Sequence, residues 1–109
     1  MASELLKVAL KPACSNSETK LIDGASGHTY TILSIMICET GNAAETFKLL
    51  IDDGGGGADT YIYFDQALAA KTTFEHTSKF VMEAADHLSI ITGSSSDIDV
   101  CVSYLEQTL

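Results

Sequence analysis

His28–Glu39 reads HTYTILSIMICE, the longest apolar run in the chain. At this length the run fits either a strand or a buried helix. Thr29, Thr31, Ile32, Ile35 and Ile37 favour the strand, because a branched β-carbon loses rotamer freedom in a helix and packs well on a pleat. Gly24 and Gly27 before the run and Gly41 after it punctuate its ends. At a strict period of two, one face is Tyr30, Ile32, Ser34, Met36 and Cys38, and the other is Thr31, Leu33, Ile35 and Ile37. Both are mostly apolar, whereas an antiparallel sheet with one wet face alternates apolar and polar. The expectation is a strand covered on both sides. Leu33, Ile35 and Ile37 form one covered face and Ile32, Met36 and Cys38 the other. A sandwich core covers one of them, and a partner subunit or the N-terminal strand covers the other.

Outward from this strand the chain reads as short β segments. Leu5–Leu10 alternates Leu6, Val8 and Leu10 against Leu5, Lys7 and Ala9, with a helical turn after Ser3 as the alternative, and Pro12 ends it. Residues 12–19 read as a loop and 20–23 as a brief strand. TGNAA at 40–44 reads as a hairpin loop that returns Thr46–Asp52 onto the central strand. Thr60–Phe64 is an aromatic strand, and QALAAK at 66–71 is a helical turn or an irregular crossing. Residues 72–76 and 79–82 are strand pieces, 87–92 is a strand, and GSSSD at 93–97 is a turn. In the last strand Ile98, Val100, Val102 and Tyr104 alternate with Asp99, Cys101 and Ser103, one face buried and one wet. About eight short strands at close spacing with little helix predict an all-β fold, an antiparallel sandwich or jelly roll.

The 109 residues suit one domain, and 46% hydrophobic residues supply a core without staples. The net charge of -9 and six scattered Lys and Arg leave no basic stripe, which argues against direct binding to nucleic acid or an anionic membrane. An acidic surface suits solubility or a basic partner. Cys14, Cys38 and Cys101 are odd in number and show no CxxC spacing, against a disulfide framework or zinc site. They read as buried inert thiols, with a bridge between strands or subunits as the minority reading. The opening MASELLKVALK has no apolar leader pattern, and no run is long enough for a membrane helix.

GGGGADTYI at 54–62 fits one copy of a calcium-binding nonapeptide, but that architecture needs stacked copies. The plainer reading is a glycine loop between strands, with Asp52, Asp53 and Asp59 as a weak calcium candidate. No Gly-Lys-Ser/Thr follows the glycines, so they do not form a phosphate loop. His28, His76 and His87 lack metal-ligand spacing and read as structural. No serine sits on a nucleophile elbow, and no set of residues fills the roles catalysis needs. The chain is therefore expected to be no enzyme and to need no cofactor. Tyr61, Tyr63, Phe64 and Tyr104 read as core or interface rather than a sugar-stacking platform.

The blocks HTYTILSIMICETGNAAETFKLLID, TYIYFDQALAAKTTFE, FVMEAADHLSIITG and IDVCVSYLE, together spanning Gly24–Glu106, resemble a group of small structural proteins of tailed bacteriophages. That group has a TYTVLSIxICNTG-type strand, a TYIY strand, an ALxAxxT segment, an EAGDxLxV turn and a final DVxxSYLE strand. Glu39 stands where the group tends to have Asn, and Ala85 where it tends to have Gly. The alanine bears on the turn type, since glycine tolerates a positive φ. The resemblance implies a jelly-roll-like β-sandwich in a virion, assembled in the host cytoplasm. It implies a homotrimer that decorates or cements the capsid, or a head–tail neck or fibre protein. The partners would be further copies of the chain and the major capsid or neck proteins, with no nucleic acid and no membrane. The chain would be one domain over 1–109, with 24–106 as its core and 1–23 packed on, or exchanged with, a neighbour. Interface contacts would fall at Ile35, Ile37, Tyr61, Tyr63, Asn42 and Gly55. A carbohydrate-binding sandwich at a fibre tip is the runner-up.

Overall fold

The computed structural model describes residues 3–53, 58–93 and 97–108. The described residues form strands and turns and no helix: β1 (Ser3–Cys14), β2 (Thr19–Asp23), β3 (His28–Glu39), β4 (Glu45–Asp53), β5 (Thr60–Leu68), β6 (Thr73–His76), β7 (Phe80–Met82), β8 (Asp86–Thr92) and β9 (Ile98–Thr108). One sheet runs β1-β9-β3-β6, with β7 also on β3, and the other runs β2-β8-β4-β5. All pairings are antiparallel. β6 and β7 pair with successive stretches of β3. Counted as one interrupted strand, they leave the eight-strand, two-sheet arrangement of a jelly roll. The expected all-β sandwich is present. No helix among the described residues is long and apolar enough to cross a membrane, which says nothing of β-barrels.

The core lies between the sheets. Tyr30, Ile32, Ile35 and Ile37 of β3 and Ile98, Val100 and Val102 of β9 meet Phe47 and Leu49 of β4 and Leu88 and Ile90 of β8. An aromatic group closes one edge. Tyr63 meets Phe74 at 5.0 Å and Phe47 at 6.0 Å between ring centroids. The Tyr63 hydroxyl and His76 Nδ1 lie 2.8 Å apart, joining β5 to β6 across the sandwich. His76 Nε2 lies 2.7 Å from the Ser78 carbonyl, which can only accept, so Nε2 carries a proton, and in the neutral ring the tyrosine donates to Nδ1.

Strict alternation fails in β3. Ile32 pairs with Tyr104 and Ser34 with Ser103, so Leu33 is one residue too many against β9. Such a bulge reverses the parity of everything after it. Ile32, Ile35 and Ile37 therefore share the core face, each 0% exposed, while Met36 is 41% exposed on the other face. This corrects the two-face reading: three isoleucines assigned to opposite sides line one core.

Three other expectations change. β4 pairs with β5 and β8 and not with β3, whose sides are taken by β9 and by β6 and β7. The 40–44 segment therefore crosses between sheets and is no hairpin. Residues 66–68 continue β5, which absorbs irregular register against β4 with Asp65 at φ 53°. β1 runs through Pro12 to Cys14, with a register break and Ala13 at φ 53°. Proline is tolerated there because β1 is an edge strand and needs no outward donor. The glycine run 54–57 and residues 94–96 lie outside the described residues.

Candidate functional site

The outer face of the five-stranded sheet is apolar and uncovered among the described residues. Ladder register builds it row by row: Leu10 beside Cys101 beside Met36, Val8 beside Ser103 beside Ser34, Leu6 beside Leu105 beside Thr31. Val81 of β7 extends the last row beyond Thr31. Leu6 is 78% exposed, Leu10 66%, Val81 57% and Val8 56%. The rows of Val8 and Leu6 contain no charged side chain; the row of Leu10, Cys101 and Met36 runs on to Glu75 of β6, and Asp99 sits beside Cys38, so charge enters at the rim. A contiguous apolar face of this kind marks an interaction surface more often than a bare monomer surface.

β1 adds a second feature. Only one of its edges is hydrogen-bonded, to β9, and among the described residues the other edge has no strand. An unpaired edge is a template for another strand. The strand is tethered in two places: Lys7 pairs with Glu106 at 3.0 Å, Glu106 also holds His28 at 2.6 Å, and near the end of β1 Ala13 N donates to Asp99 Oδ1 at 2.8 Å. The charge of Glu106 also raises the Lys7 pKa, through their hydrogen bond first and Coulomb attraction second.

The residues singled out from the sequence fall in different places. Ile35 and Ile37 are fully buried core residues, so this fold leaves them no surface for a partner. Tyr61 is exposed on β5 of the other sheet, and Tyr63 is half-buried in the aromatic group. Asn42 is exposed in the crossing after β3, and Gly55 lies outside the described residues. Tyr61 and Phe64 stand nearly perpendicular, with ring planes at 82°; they offer no flat platform for a sugar. Met36 falls on a face that the sequence leaves open to a partner, whereas Leu6, Val8, Leu10 and Val81 were missed, although the alternation of Leu6, Val8 and Leu10 was a visible signal.

Of the acidic candidates, Asp59 and Asp52 do interact, and Glu18 joins them. The Asp59 carboxyl is held above its ordinary value by desolvation first and the charge of Asp52 second. Glu18 is raised by desolvation first and hydrogen bonding with Asp52 second. Asp53 instead lies across the ladder from Asp86. Among the described residues one group of three potential ligands stands within metal-binding distance: Glu39, Glu45 and Asp97.

The three cysteines are free. Cys14 is buried, its Sγ donates to the Lys11 carbonyl at 3.4 Å, and burial followed by the nearby Asp99 charge pushes its thiol pKa up. That is the environment of an inert thiol. Cys38 and Cys101 are half-buried on the outer sheet face. His28 is held by Glu106, His87 by Asp23 at 2.7 Å, and His76 by Tyr63 and Ser78. Each imidazole thus has a structural partner.

The sequence matches no protein-family profile and no curated protein. Solved structures do match. A chain of the Bacillus endospore appendages, which are disulfide-linked pili, aligns over 100% of this chain and 91% of its own, with TM-score 0.59 and 11% identity. A chain of the infectious bursal disease virus T13 particle aligns over 97% of this chain and 31% of its own, with TM-score 0.58 and 10% identity. A chain from the acid-stable capsid of Helicobacter pylori bacteriophage KHP30 aligns over 97% and 92%, with TM-score 0.55 and 12% identity. The likeness is one of fold. This chain is similar in architecture to virus-particle, phage-capsid and pilus chains, and it spans about a third of the bursal virus chain but nearly all of the other two.

Proposed function

We propose that this protein is a non-enzymatic structural component of a tailed-phage virion, a decoration or cement protein that binds the head as an oligomer. The observation that carries the proposal is the apolar face of Leu6, Val8, Leu10, Met36 and Val81, with charge only at its rim, beside the open edge of β1. With a net charge of -9, copies of this chain repel one another wherever acidic surfaces meet. This face, charged only at its rim, is where that repulsion is least and apolar burial greatest, so its occupant is a second copy. In a closed ring of three this face meets a different face of the next copy, the heterologous contact that a threefold site on a shell requires. Residues 1–23, carrying the edge strand, are the arm that a neighbour extends or exchanges. Binding only to the assembled shell would stabilise it by mass action. The fold likeness to a phage-capsid chain of similar length supports this reading.

The test is sedimentation velocity together with copurification on particles. The wild type should sediment as an oligomer and travel with heads. A Leu6→Asp/Leu10→Asp double variant should stay folded and weaken self-association at least about a hundredfold, since each leucine contributes about 1.5–3 kcal/mol when buried. A strictly monomeric wild type absent from particles would refute the proposal. Non-reducing electrophoresis adds a further arm: a ladder through Cys38 or Cys101 would favour a disulfide-linked fibre over a capsid cement.

A further inference from the structure

Glu39, the last residue of β3, is 0% exposed. Its Oε1 accepts from Gly41 N at 2.5 Å, while Oε2 is buried and receives no donor among the described residues. A buried carboxylate oxygen left without a donor is costly, and such groups gain a proton, a cation or a hydrogen bond. Two more carboxylates face it. One oxygen each from Glu39, Glu45 and Asp97 lies within 4.8 Å of the others. Asp97 Oδ1 is likewise buried without a donor among the described residues.

The fold builds this arrangement from three segments. β3 ends at Glu39, the crossing to the other sheet delivers Glu45 at the start of β4, and Asp97 precedes β9. Thr40 fixes Asp97 over the crossing, donating to its carbonyl from N at 2.8 Å and from Oγ1 at 3.0 Å. Gly41 lies so close that a Cβ there would stand 2.7 Å from Asp97 Oδ2 and 3.2 Å from Glu39 Oε1. The backbone therefore closes tightly around the carboxylates.

We propose that Glu39, Glu45 and Asp97 form a calcium-binding site. The donor set is all oxygen with no sulfur or nitrogen, which selects a hard cation. Calcium binds such oxygens at about 2.3–2.6 Å, so two ligands of one ion stand up to about 5 Å apart, and the three carboxylates need little movement to close on it. Magnesium keeps several waters and uses one or two carboxylates, so three protein carboxylates favour calcium. The ion would neutralise the buried Glu39 and relieve the crowding that raises the Asp97 pKa, caused first by its hydrogen bond with Glu45 and next by desolvation. It would tie the β3–β4 crossing to the start of β9 and so clamp the two sheets together.

The test uses the full chain stripped with EDTA and dialysed, then titrated with calcium chloride by calorimetry and thermal melting. One saturable calcium per chain is expected, with a midpoint between micromolar and millimolar and a rise in melting temperature on binding. Glu39→Gln and Asp97→Asn should each abolish the heat and the shift, while Asp52→Asn, in the separate Glu18 cluster, should keep both. Asp97 is only half-buried, so Asp97→Asn decides the matter if Glu39→Gln does not fold. No saturable heat up to about 10 mM calcium, a shift retained in Asp97→Asn, or tighter binding of magnesium than calcium would each overturn the proposal. Loss of self-association would leave these readouts unaffected.

Discussion

Ala85 is a residue whose side chain works against its backbone. It sits at φ 74°, in a turn where Asp86 N donates to the Glu83 carbonyl at 3.2 Å and Glu83 N to Asp86 Oδ2 at 3.2 Å. An alanine in the left-handed region costs about 1–2 kcal/mol because its Cβ crowds the following carbonyl. Glycine removes that cost but brings more unfolded-state entropy, which takes back part of the gain. Ala85→Gly should therefore raise unfolding free energy by about 0.5–1 kcal/mol and the melting temperature by a few degrees. A variant that melts below wild type would show that the turn has another conformation. The sequence pointed at this position, since glycine is the residue that the EAGD-type turn prefers. It did not point at Glu39 in the same way, because a glutamate at the end of an apolar strand reads as a boundary until its two facing carboxylates are placed.

At the scale of the element, β3 is decided by one inserted residue. The bulge at Leu33 puts Ile35 inward and Met36 outward. Ile35→Asp should therefore place an unpaired charge in the core and cost at least about 4 kcal/mol, enough to unfold much of the protein. Met36→Asp should melt within a few degrees of wild type and act on self-association instead. Circular-dichroism melts of both variants distinguish the faces; equal destabilisation would mean that the register is wrong. The identity of β3 as a strand was legible from its β-branched residues, but the bulge was not. Leu33 is as apolar as its neighbours, and nothing local marks it as the extra residue against β9. The crossing at 40–44 misled for a related reason. Gly41-Asn42 has hairpin chemistry, and only the pairing of β3 with β9, β6 and β7 shows that β4 has to go elsewhere.

For the whole molecule, charge sets the response to pH. The chain carries -9 at neutral pH, and Glu18 and Asp59 sit above their ordinary values of 4.5 and 3.8. A carboxyl whose folded pKa is raised binds more protons folded than unfolded, so its contribution favours folding at acid pH. That contribution is lost as pH rises from the ordinary value through the raised one. Self-repulsion acts in the same direction, growing as carboxyls ionise. The urea midpoint, measured in EDTA, should therefore be higher near pH 5 than near pH 7, and a midpoint that rises toward neutrality would contradict this account.

The sequence by itself determined the all-β class, most strand positions and the acidic character, because period-two patterning, β-branched residues and charge are local properties. The tertiary structure alone decided which apolar residues face out and which carboxylates meet. Leu6, Val8, Leu10 and Met36 share a face only through the β1-β9-β3 register. Glu39, Glu45 and Asp97 converge only because two sheets bring distant segments to one end. HTYTILSIMICE has two faces, one in the core and the other uncovered among the described residues, divided by a bulge that no period along the chain records.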